Sequence, residues 1–398
     1  MDVLRNPFAP GAGNQPPELA GRREILAQAD IVLARAELGR HAKSFILIGL
    51  RGVGKTVLLV RIETMARERG MHAVLVESPE DKPLPRLIIP PLRQILLSLD
   101  RQGAISGQVK RSLRALRSFA NGLKLKYGEL EVGLDIDPEV GVADSGDLER
   151  DLADLIVEVG AAAKARKTVI ALLMDEMQYL SEEHLSALIM AIHRANQRQL
   201  PVVLIGAGLP QLVGNMGRSK SYAERLFDFP SIGPLSNDDA AAAISGPIAH
   251  EEERIQGLAV QRIVERSQGY PYFLQVWGYQ SWNHAPKSPI RRTDVEQAEP
   301  AVLRSLDEGF FRVRFDRLTP GEKSYLGAMA ELGPGPHRSG DISEALRVKV
   351  QSVAPTRSSL IRKGMIYSPA HGDTAFTVPM FDEFLKRQIQ RVSRARGS

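Results

Sequence analysis

Two short stretches of this chain carry residues that could bind and activate a triphosphate. Residues 49–56 read Gly-Leu-Arg-Gly-Val-Gly-Lys-Thr and match the phosphate-binding pattern G-x-x-x-x-G-K-[ST]. The glycines let backbone N–H groups wrap a polyphosphate, and the N-terminus of a following helix adds partial positive charge. Lys55 would reach the β- and γ-phosphates, and the Thr56 hydroxyl would ligate Mg²⁺. The residues of this stretch that we expect to hold the nucleotide are Gly49, Arg51, Gly52, Val53, Gly54, Lys55, Thr56 and Val57.

Two adjacent carboxylates, Asp175 and Glu176, form the second stretch. They follow residues 168–174, an apolar run typical of a strand that is buried on both faces of a parallel sheet. In open α/β sheets, the carboxyl ends of such strands lie at the edge where phosphates bind. We expect Asp175 to hold Mg²⁺ through water and Glu176 to orient and deprotonate the attacking water. Glu176 and Lys55 are therefore predicted catalytic residues.

Alternating strands and helices are predicted to position these two stretches. Apolar runs at residues 44–48, 71–76, 168–174 and 201–205 are typical of strands, and helical periodicity follows at residues 55–69 and 181–197. Gly70 is the predicted C-terminal cap of the first of these helices. The alternation favours an α/β fold with a doubly wound parallel sheet that is sandwiched by helices.

A long insertion is predicted at residues 79–147, between the two stretches. Within it, residues 108–123 form a predicted amphipathic helix with a basic polar face. Such a face could dock a protein partner, nucleic acid or lipid, or it could simply be solvated. The alternating apolar residues of 123–137 predict a hairpin that turns near Gly128. The basic residues of the helix are Lys110, Arg111, Arg114 and Arg117.

The chain becomes helical from residue 235 and ends in a different pattern. Residues 319–322 combine a capping box with proline at the first helical position, two more helices follow, and two short strands flank a turn at residues 371–373. This order predicts a winged helix-turn-helix at 318–398, after a nucleotide-binding domain at 1–234 and a helical domain at 235–317. Because an α-helix fits the major groove, its candidate DNA contacts are Arg357, Ser358, Arg362, Lys363 and, at the wing tip, His371.

The composition is that of an ordinary globular chain of 398 residues, with 25% charged and 43% hydrophobic residues. The absence of cysteine excludes disulfides and thiolate metal sites. We expect a cytoplasmic location, because neither a signal peptide nor an apolar run of membrane-spanning length is evident. Residues 319–398 hold 12 Lys and Arg against 7 Asp and Glu, an excess that equals that of the whole chain. This basic region favours an acidic partner such as DNA, although solvated surface charge would give the same count.

Further motifs resemble one protein family. Residues 21–24 read Gly-Arg-Arg-Glu, residues 206–210 Gly-Ala-Gly-Leu-Pro, residues 221–227 Ser-Tyr-Ala-Glu-Arg-Leu-Phe and residues 269–275 Gly-Tyr-Pro-Tyr-Phe-Leu-Gln. Together with the two stretches above, they resemble the bacterial AAA+ ATP-binding proteins, P-loop NTPases that are related to origin-recognition and STAND ATPases. The resemblance runs from about residue 16 to the C-terminus.

The resemblance implies ATP as the nucleotide, Mg²⁺ as the metal and a helical lid at residues 235–317. It implies that Gly21 and Arg22 lie against the adenine and that Pro271 touches the nucleotide from the lid. It also implies that Arg225 can act on the γ-phosphate of a neighbouring subunit, in an ATP-dependent homo-oligomer.

The sequence departs from the motor members of the family at two places. Motors carry Asn, Thr or Ser after the fourth strand, where this chain has Gly206 and Ala207, and they carry an arginine in the lid helix near Tyr272, where this chain has none. Both missing groups would stabilise charge during phosphoryl transfer. We therefore expect tight ATP binding with slow turnover, which suits a switch.

Two functions remain open at this level. The first is an ATP-dependent switch of conformation or assembly that is coupled to DNA through the winged helix. The second is a signalling or defence switch in which the winged helix is structural and the output is a protein partner, bound through the basic insertion. A metabolic kinase would need a substrate pocket with convergent polar residues, and the sequence shows no such constellation.

Overall fold

The computed structural model describes residues 1–11, 13–40, 43–101, 107–128, 130, 137–370 and 372–396. The chain divides into two compact units. The sheet unit comprises Glu24–Gly49 and Lys55–Ser231, and the helical unit comprises Met1–Arg23, Leu50–Gly54 and Ile232–Ser398. The phosphate-binding stretch is thus divided, with Gly49, Lys55 and Thr56 in the sheet unit and residues 50–54 in the helical unit. The three-domain division of the chain stays a prediction.

The sheet unit alternates strands with helices. In chain order its elements are α1 (Arg23–Glu37), β1 (Ser44–Ile48), α2 (Lys55–Glu68), β2 (His72–Glu77), α3 (Leu84–Arg101), α4 (Gly107–Gly122), α5 (Lys124–Tyr127), α6 (Leu148–Ala165), β3 (Ile170–Asp175), a 3₁₀ turn (Met177–Tyr179), α7 (Glu182–Gln197), β4 (Val202–Gly208), α8 (Gln211–Ser219), α9 (Ala223–Leu226) and β5 (Phe227–Asp228).

The five strands form one parallel sheet in the order β2-β3-β4-β1-β5. The register places Phe45 beside Ile205 and Leu172 beside Leu204. Every residue of β1, β3 and β4 is buried, because these strands are internal to the sheet and helices such as α2 and α7 pack against it. This explains why their sequences are continuous apolar runs rather than alternating ones. The predicted α/β fold with a parallel sheet and flanking helices is confirmed.

The predicted hairpin at residues 123–137 is wrong in its first arm. Lys124–Tyr127 is a short helix, α5, which ends where the Gly128 N–H donates to the Lys124 carbonyl at a positive φ of 74°. Leu123 is buried while Leu125 is fully exposed, so the alternation reflects a helical turn rather than one face of a strand. Residues 131–136, the second arm, lie outside the described residues.

The helical unit contains the remaining elements. They are a 3₁₀ turn (Val3–Arg5), α10 (Asn237–His250), α11 (Gly257–Ser267), α12 (Pro271–His284), α13 (Arg292–Ser305), a π-helical segment (Leu306–Phe311), α14 (Arg312–Phe315), α15 (Pro320–Leu332), β6 (His337–Arg338), α16 (Ser339–Ala345), α17 (Val350–Arg362), β7 (Ile366–Tyr367), β8 (Asp373–Phe376) and α18 (Phe381–Arg396). The three short strands pair antiparallel in the order β6-β8-β7.

Aromatic side chains join the first half of the helical unit to its C-terminal part. The rings of Phe273 and Phe310 lie edge to face with centroids 5.4 Å apart, and Phe311 stacks on Phe384 at 5.3 Å. Phe384 in turn stacks on Phe381 at 5.4 Å. Such pairs add to the free energy of burial through their ring geometry. Helices α12 and α18 therefore belong to one continuous apolar core.

Glu322 is a buried carboxylate that ties α15 to α17. It accepts hydrogen bonds from the Thr319 N–H, the Ser359 hydroxyl and the Lys363 ammonium, each at 2.8 Å. Burial by itself raises the pKa of this carboxyl, but the hydrogen bond from Lys363, those from Thr319 and Ser359, and the charge of Lys363 outweigh it and lower the pKa to about 2. The ionised form is thus strongly favoured in the folded chain.

Glu322→Gln is expected to destabilise the helical unit at neutral pH by about 2 kcal/mol. Because the folded pKa is depressed, the stabilisation is complete above the unfolded pKa and is lost as the pH falls towards about 2. Both tryptophans, Trp277 and Trp282, lie in this unit, so urea unfolding followed by tryptophan fluorescence reports on it. The difference should be full at pH 7 and smaller at pH 3. Exposed Glu344→Gln is the control, and a difference that does not change with pH would contradict the assignment.

Candidate nucleotide site

In the sheet unit, Thr56 and Asp175 meet at the carboxyl edge of the sheet. Thr56 lies in the first turn of α2, and its hydroxyl donates to Asp175 Oδ2 at 2.6 Å. Asp175 ends β3, and its other oxygen, Oδ1, accepts the Glu176 N–H at 2.8 Å. The structure thus brings together the two residues that the sequence predicted as magnesium ligands.

Asp175 carries its charge in an unfavourable environment, since its side chain is 4% exposed. Burial raises the pKa of its carboxyl, and the nearby charge of Glu176 acts in the same direction. The hydrogen bonds from Thr56 and from the Glu176 N–H, together with the charge of Lys55, oppose this shift without cancelling it. A cation placed against this carboxylate would relieve the cost of keeping it ionised.

Lys55 connects the base of the phosphate-binding stretch to the sheet. It is buried, and its ammonium donates to the Gly49 carbonyl at 2.9 Å. The Gly49 N–H in turn donates to the Gly208 carbonyl at the end of β4, at 3.1 Å. The lysine head therefore lies against Gly49, the residue that directly follows β1.

Glu176 follows β3 with a left-handed backbone, at φ 53°. A positive φ is uncommon outside glycine, and in this position it turns the chain sharply into the 3₁₀ segment. The Glu176 carboxylate accepts a hydrogen bond from the side-chain amide of Gln178. Gln178 was not among the site residues predicted from the sequence. Its position two residues after Glu176 was the signal in the sequence that could have indicated a contact with this acid.

The glycines in the last part of β4 make room for the residues that follow β3. A Cβ on Gly206 would lie 2.3 Å from the Met177 sulfur, and one on Gly208 would lie 3.1 Å from the Gln178 side-chain oxygen. A larger residue at either position would clash. Met177 and Gln178, which follow the neighbouring strand β3, occupy the space beside these glycines. This gives a physical reason why the polar side chain that motors carry here is missing.

In the helical unit, Leu50–Gly54 are bound by backbone hydrogen bonds to two distant segments. The Arg51 N–H donates to the Thr377 carbonyl at 3.1 Å, and the Tyr272 N–H at the start of α12 donates to the Gly52 carbonyl at 3.2 Å. Gly52 and Gly54 have φ of 81° and 92°, which side-chain-bearing residues rarely adopt. Arg51 also donates its Nε to the Gly364 carbonyl at 3.4 Å. Val53 is buried and Val57, in the other unit, is half-buried.

Arg22 binds the same loop segment from the N-terminal side. Its guanidinium donates to the carbonyls of Val53, at 3.1 Å, and Gly233, at 2.6 Å. Burial lowers the pKa of this guanidinium, and the charge of Asp239 opposes that shift. Gly21 is required beside it, because its φ is 66° and a Cβ there would lie 2.8 Å from the Asp239 carboxylate.

Pro271 occupies the first turn of α12, next to the residue that bonds Gly52. The preceding Gly269 has φ 70°, and a Cβ on it would lie 2.6 Å from the Leu235 carbonyl. The Leu235 N–H donates back to Gly269 at 2.8 Å. The Gly-x-Pro sequence therefore fits a tight backbone crossing that fixes where α12 begins.

The residues present fit a magnesium–triphosphate group. The hydroxyl of Thr56 and the carboxylate of Asp175 are hard oxygen ligands, which Mg²⁺ prefers, and Mg²⁺ is held by one or two such groups plus water and phosphate. Among the described residues no cluster of three or more His, Asp or Glu could hold a metal by itself. The donor set thus suits a metal that arrives with a nucleotide rather than a closed protein cage.

Arg225 is exposed on the short helix α9. Within the described part of the chain it makes no side-chain ion pair. It is not among the residues grouped around Thr56 and Asp175 by hydrogen bonds.

The candidate DNA contacts of the C-terminal region divide into residues that are bonded within the chain and residues that are exposed. Arg357 donates Nε to the Thr374 hydroxyl and Nη2 to the Asp373 carbonyl, both at 2.9 Å, and Lys363 is paired with buried Glu322. These two cations hold α17 to β8 and to α15. Ser358 and Arg362 are exposed on α17, and His371 lies outside the described residues.

The basic face of α4 is partly neutralised. Arg111 lies 3.4 Å from the Glu158 carboxylate and Arg114 lies 3.6 Å from that of Glu139. Lys110 is exposed and Arg117 is half-buried. No helix in the described residues is long and apolar enough to cross a membrane.

Asp175→Asn is expected to raise the melting temperature of the nucleotide-free protein and to weaken binding of magnesium nucleotide. Because the folded pKa of Asp175 is raised, its ionised form opposes folding at neutral pH, and the neutral isostere removes that cost. The gain should shrink as the pH falls and the native carboxyl becomes protonated. Thermal unfolding with and without Mg²⁺ and ATP measures both effects, and a lower melting temperature of the free variant would contradict the assignment.

Comparisons with known proteins find family models that match two parts of the chain. Residues 18–205 match the model of the AAA ATPase domain, and residues 308–385 match a domain of unknown function, DUF8462. No curated protein matches the chain.

Three solved structures are similar to this chain at low sequence identity. The Walker-type ATPase PABY2304 of Pyrococcus abyssi is 16% identical, with a TM-score of 0.54 and coverage of 94% of this chain and 97% of that one. The Aeropyrum pernix ORC1 protein in complex with DNA is 17% identical (TM-score 0.47, 98% of each chain). The Thermotoga maritima RuvB Holliday junction branch migration motor is 16% identical (TM-score 0.46, 94% and 96%). The first likeness shows a shared fold, and the other two, with TM-scores below 0.5, add nothing to that conclusion.

Proposed function

We propose that this chain, whose residues 18–205 match the model of the AAA ATPase domain, is a P-loop ATPase in which ATP binding and slow hydrolysis switch the conformation or assembly. Lys55 contacts the β- and γ-phosphates, Thr56 and Asp175 hold Mg²⁺, and Glu176 orients the attacking water in this proposal. Bound Mg²⁺ would neutralise the charge that develops on the phosphate oxygens. Gly49, Arg51, Gly52, Val53, Gly54 and Val57 would line the nucleotide, with Gly21, Arg22 and Pro271 supporting the loop.

One observation supports the proposed switch. Residues 50–54 of the phosphate-binding stretch are hydrogen-bonded to segments that come much later in the chain. The Arg51 N–H is bonded to Thr377, and the Gly52 carbonyl is bonded to the start of α12. A polyphosphate needs loop N–H groups that are turned towards it. Any reorientation of residues 50–54 on nucleotide binding would therefore change the hydrogen bonds of Thr377 and Tyr272. We expect the conformation of the segment 364–378 to change with them.

Hydrogen exchange tests this coupling. Amides of residues 364–378 should exchange at a different rate in ATP than in the nucleotide-free protein, because their contacts with the loop change. Lys55→Met, which we expect not to bind ATP, should show no such change. Equal exchange rates with and without ATP in the wild-type protein, at a concentration where binding is complete, would contradict the switch.

Turnover is proposed to be slow because two charge-stabilising groups of motor ATPases are missing. Met177 fills the space at Gly206, and the α12 position near Tyr272 carries aromatic rings instead of an arginine. We expect a steady-state rate far below ~10 s⁻¹, the median for enzymes. A rate of tens per second for the purified chain would contradict this.

An ATP-dependent homo-oligomer is proposed on the basis of Arg225. Its exposed guanidinium on α9 could reach the γ-phosphate of a neighbouring copy, as arginine fingers do. Light scattering of the wild-type protein and Arg225→Ala, each with and without ATP, checks the assembly. A monomer under all four conditions would remove this proposal.

The element order α15, α16, α17, β7 and β8 supports a winged helix-turn-helix in the C-terminal region. On that proposal duplex DNA is the first partner to test, with Ser358 and Arg362 as the exposed candidate contacts on α17. DNA affinity should fall steeply with salt and weaken in Arg362→Ala. No affinity for duplex DNA at low salt would remove this partner.

The hydrogen bonds of Arg357 and Lys363 within the chain favour the second candidate function. In that function the winged helix is structural and a protein partner receives the signal. The basic helix α4 would then be the partner surface, although Arg111 and Arg114 are already paired with carboxylates. A cytoplasmic location stays a prediction for either candidate.

A further inference from the structure

Gln178 links the predicted general base to the next strand of the sheet through both ends of its amide. Its Nε2 donates to Glu176 Oε2, and its Oε1 accepts the Leu209 N–H at 3.0 Å. Leu209 directly follows β4, so the amide spans the carboxyl ends of β3 and β4. An amide that is fixed at its oxygen end has one orientation left for its N–H donors.

The local backbone explains why Gln178 reaches back to Glu176. The left-handed conformation of Glu176 and the 3₁₀ turn that follows fold the chain tightly, so residue 178 returns over residue 176. The glycine at 208 completes the arrangement, because a Cβ there would lie 3.1 Å from the amide oxygen. The contact therefore depends on two strands and not on the turn alone.

The anchor of Gln178 is also connected to Gly49 and Lys55, the two parts of the phosphate-binding stretch that belong to the sheet unit. The carbonyl of Gly208, the residue before Leu209, accepts the Gly49 N–H at 3.1 Å, and Gly49 binds the Lys55 ammonium. A hydrogen-bonded series thus runs from Lys55 through Gly49, the end of β4 and Gln178 to Glu176. A side chain held in this way can keep a carboxylate in a defined rotamer.

We propose that Gln178 is the positioning residue of Glu176, in place of the polar side chain that is absent at residues 206 and 207. The inference rests on the proposed role of Glu176 in ATP hydrolysis. With the amide holding Oε2, the Glu176 carboxylate keeps the orientation in which it accepts the proton of the attacking water as the water oxygen bonds to the γ-phosphorus and the bond to ADP breaks. Gln178 does not touch the reacting atoms and acts through the carboxylate.

Gln178→Glu separates this role from a structural one. The substitution keeps an oxygen acceptor for the Leu209 N–H and keeps the shape of the side chain, but it replaces the donor to Glu176 with an acceptor. If Gln178 only anchored the end of β4, this variant would behave like the wild type. We expect its kcat to fall about 10- to 100-fold while ATP affinity stays within about twofold. Gln178→Met, which removes both hydrogen bonds, should lose at least as much.

A double-mutant cycle with Glu176→Gln completes the test. If Gln178 acts through Glu176, Gln178→Glu should cause no further loss in the Glu176→Gln background, because the group that it positions is already disabled. A wild-type kcat in Gln178→Glu, or additive losses in the cycle, would overturn the inference while leaving the ATPase function standing. A wild-type protein that binds no ATP would instead remove the proposed function, and this inference with it.

Discussion

Glu176→Gln is expected to lower the kcat of ATP hydrolysis by about 100- to 10,000-fold and to leave ATP affinity nearly unchanged. The amide keeps the size of the side chain and can still meet Gln178, but it cannot accept a proton from water. Glu176 is half-buried and follows β3 directly, so the substitution removes no packing from the sheet. The variant should therefore accumulate bound ATP and hold the protein in the ATP state of the proposed switch.

Phosphate release and equilibrium ATP binding, measured on the same preparation, check this expectation. The control is Glu182→Gln in the first turn of α7, which changes an exposed carboxylate that pairs with Arg218 at the surface. The control should hydrolyse ATP at the wild-type rate. A wild-type rate in Glu176→Gln would show that another group activates water.

Lys55→Met should reduce ATP affinity by about 100- to 1,000-fold and abolish measurable hydrolysis. The ammonium is buried against the Gly49 carbonyl, where it supplies positive charge at the base of the loop. Methionine has a similar length and needs no counter-charge, so the variant should remain folded. Loss of the ammonium also leaves the Gly49 carbonyl without one of its donors.

Lys43→Met is the matched control for this second prediction. Lys43 is also in the sheet unit, and it pairs with Asp228 at 2.6 Å near the surface, where an ion pair contributes little. Circular dichroism should show both variants folded, and titration calorimetry should show that only Lys55→Met loses ATP. Retained ATP binding by Lys55→Met would contradict the assignment of the loop.

The predicted sheet and acid pair followed from the sequence because their signals are local. Six consecutive apolar residues before Asp175 fit a strand buried on both faces, and the structure places that strand inside the sheet. The glycines of the Gly-Arg and Gly-Tyr-Pro motifs are similar cases. Both Gly21 and Gly269 have positive φ, which favours glycine, and at Gly269 the Leu235 backbone also leaves no room for a Cβ.

The features that the sequence did not predict depend on contacts between distant segments. Nothing near Gln178 in the chain indicates that its side-chain oxygen will accept a hydrogen bond from the Leu209 N–H, because β3 and β4 become neighbours only in the sheet. Arg357 and Lys363 are of the residue types that contact DNA, yet their side chains are hydrogen-bonded to Thr374 and Glu322 of the same chain. The hairpin prediction failed for the same reason, since an alternating pattern cannot show whether a sheet partner exists.

The central claim is that Lys55, Thr56 and Asp175 hold a triphosphate together with its metal. Titration of ATP in the presence of Mg²⁺ and of EDTA, into the wild-type protein, Thr56→Val and Asp175→Ala, tests it most directly. We predict that the wild type binds ATP much more tightly with Mg²⁺ and that both variants lose most of this difference. Variants that bind magnesium ATP as tightly as the wild type would contradict the account.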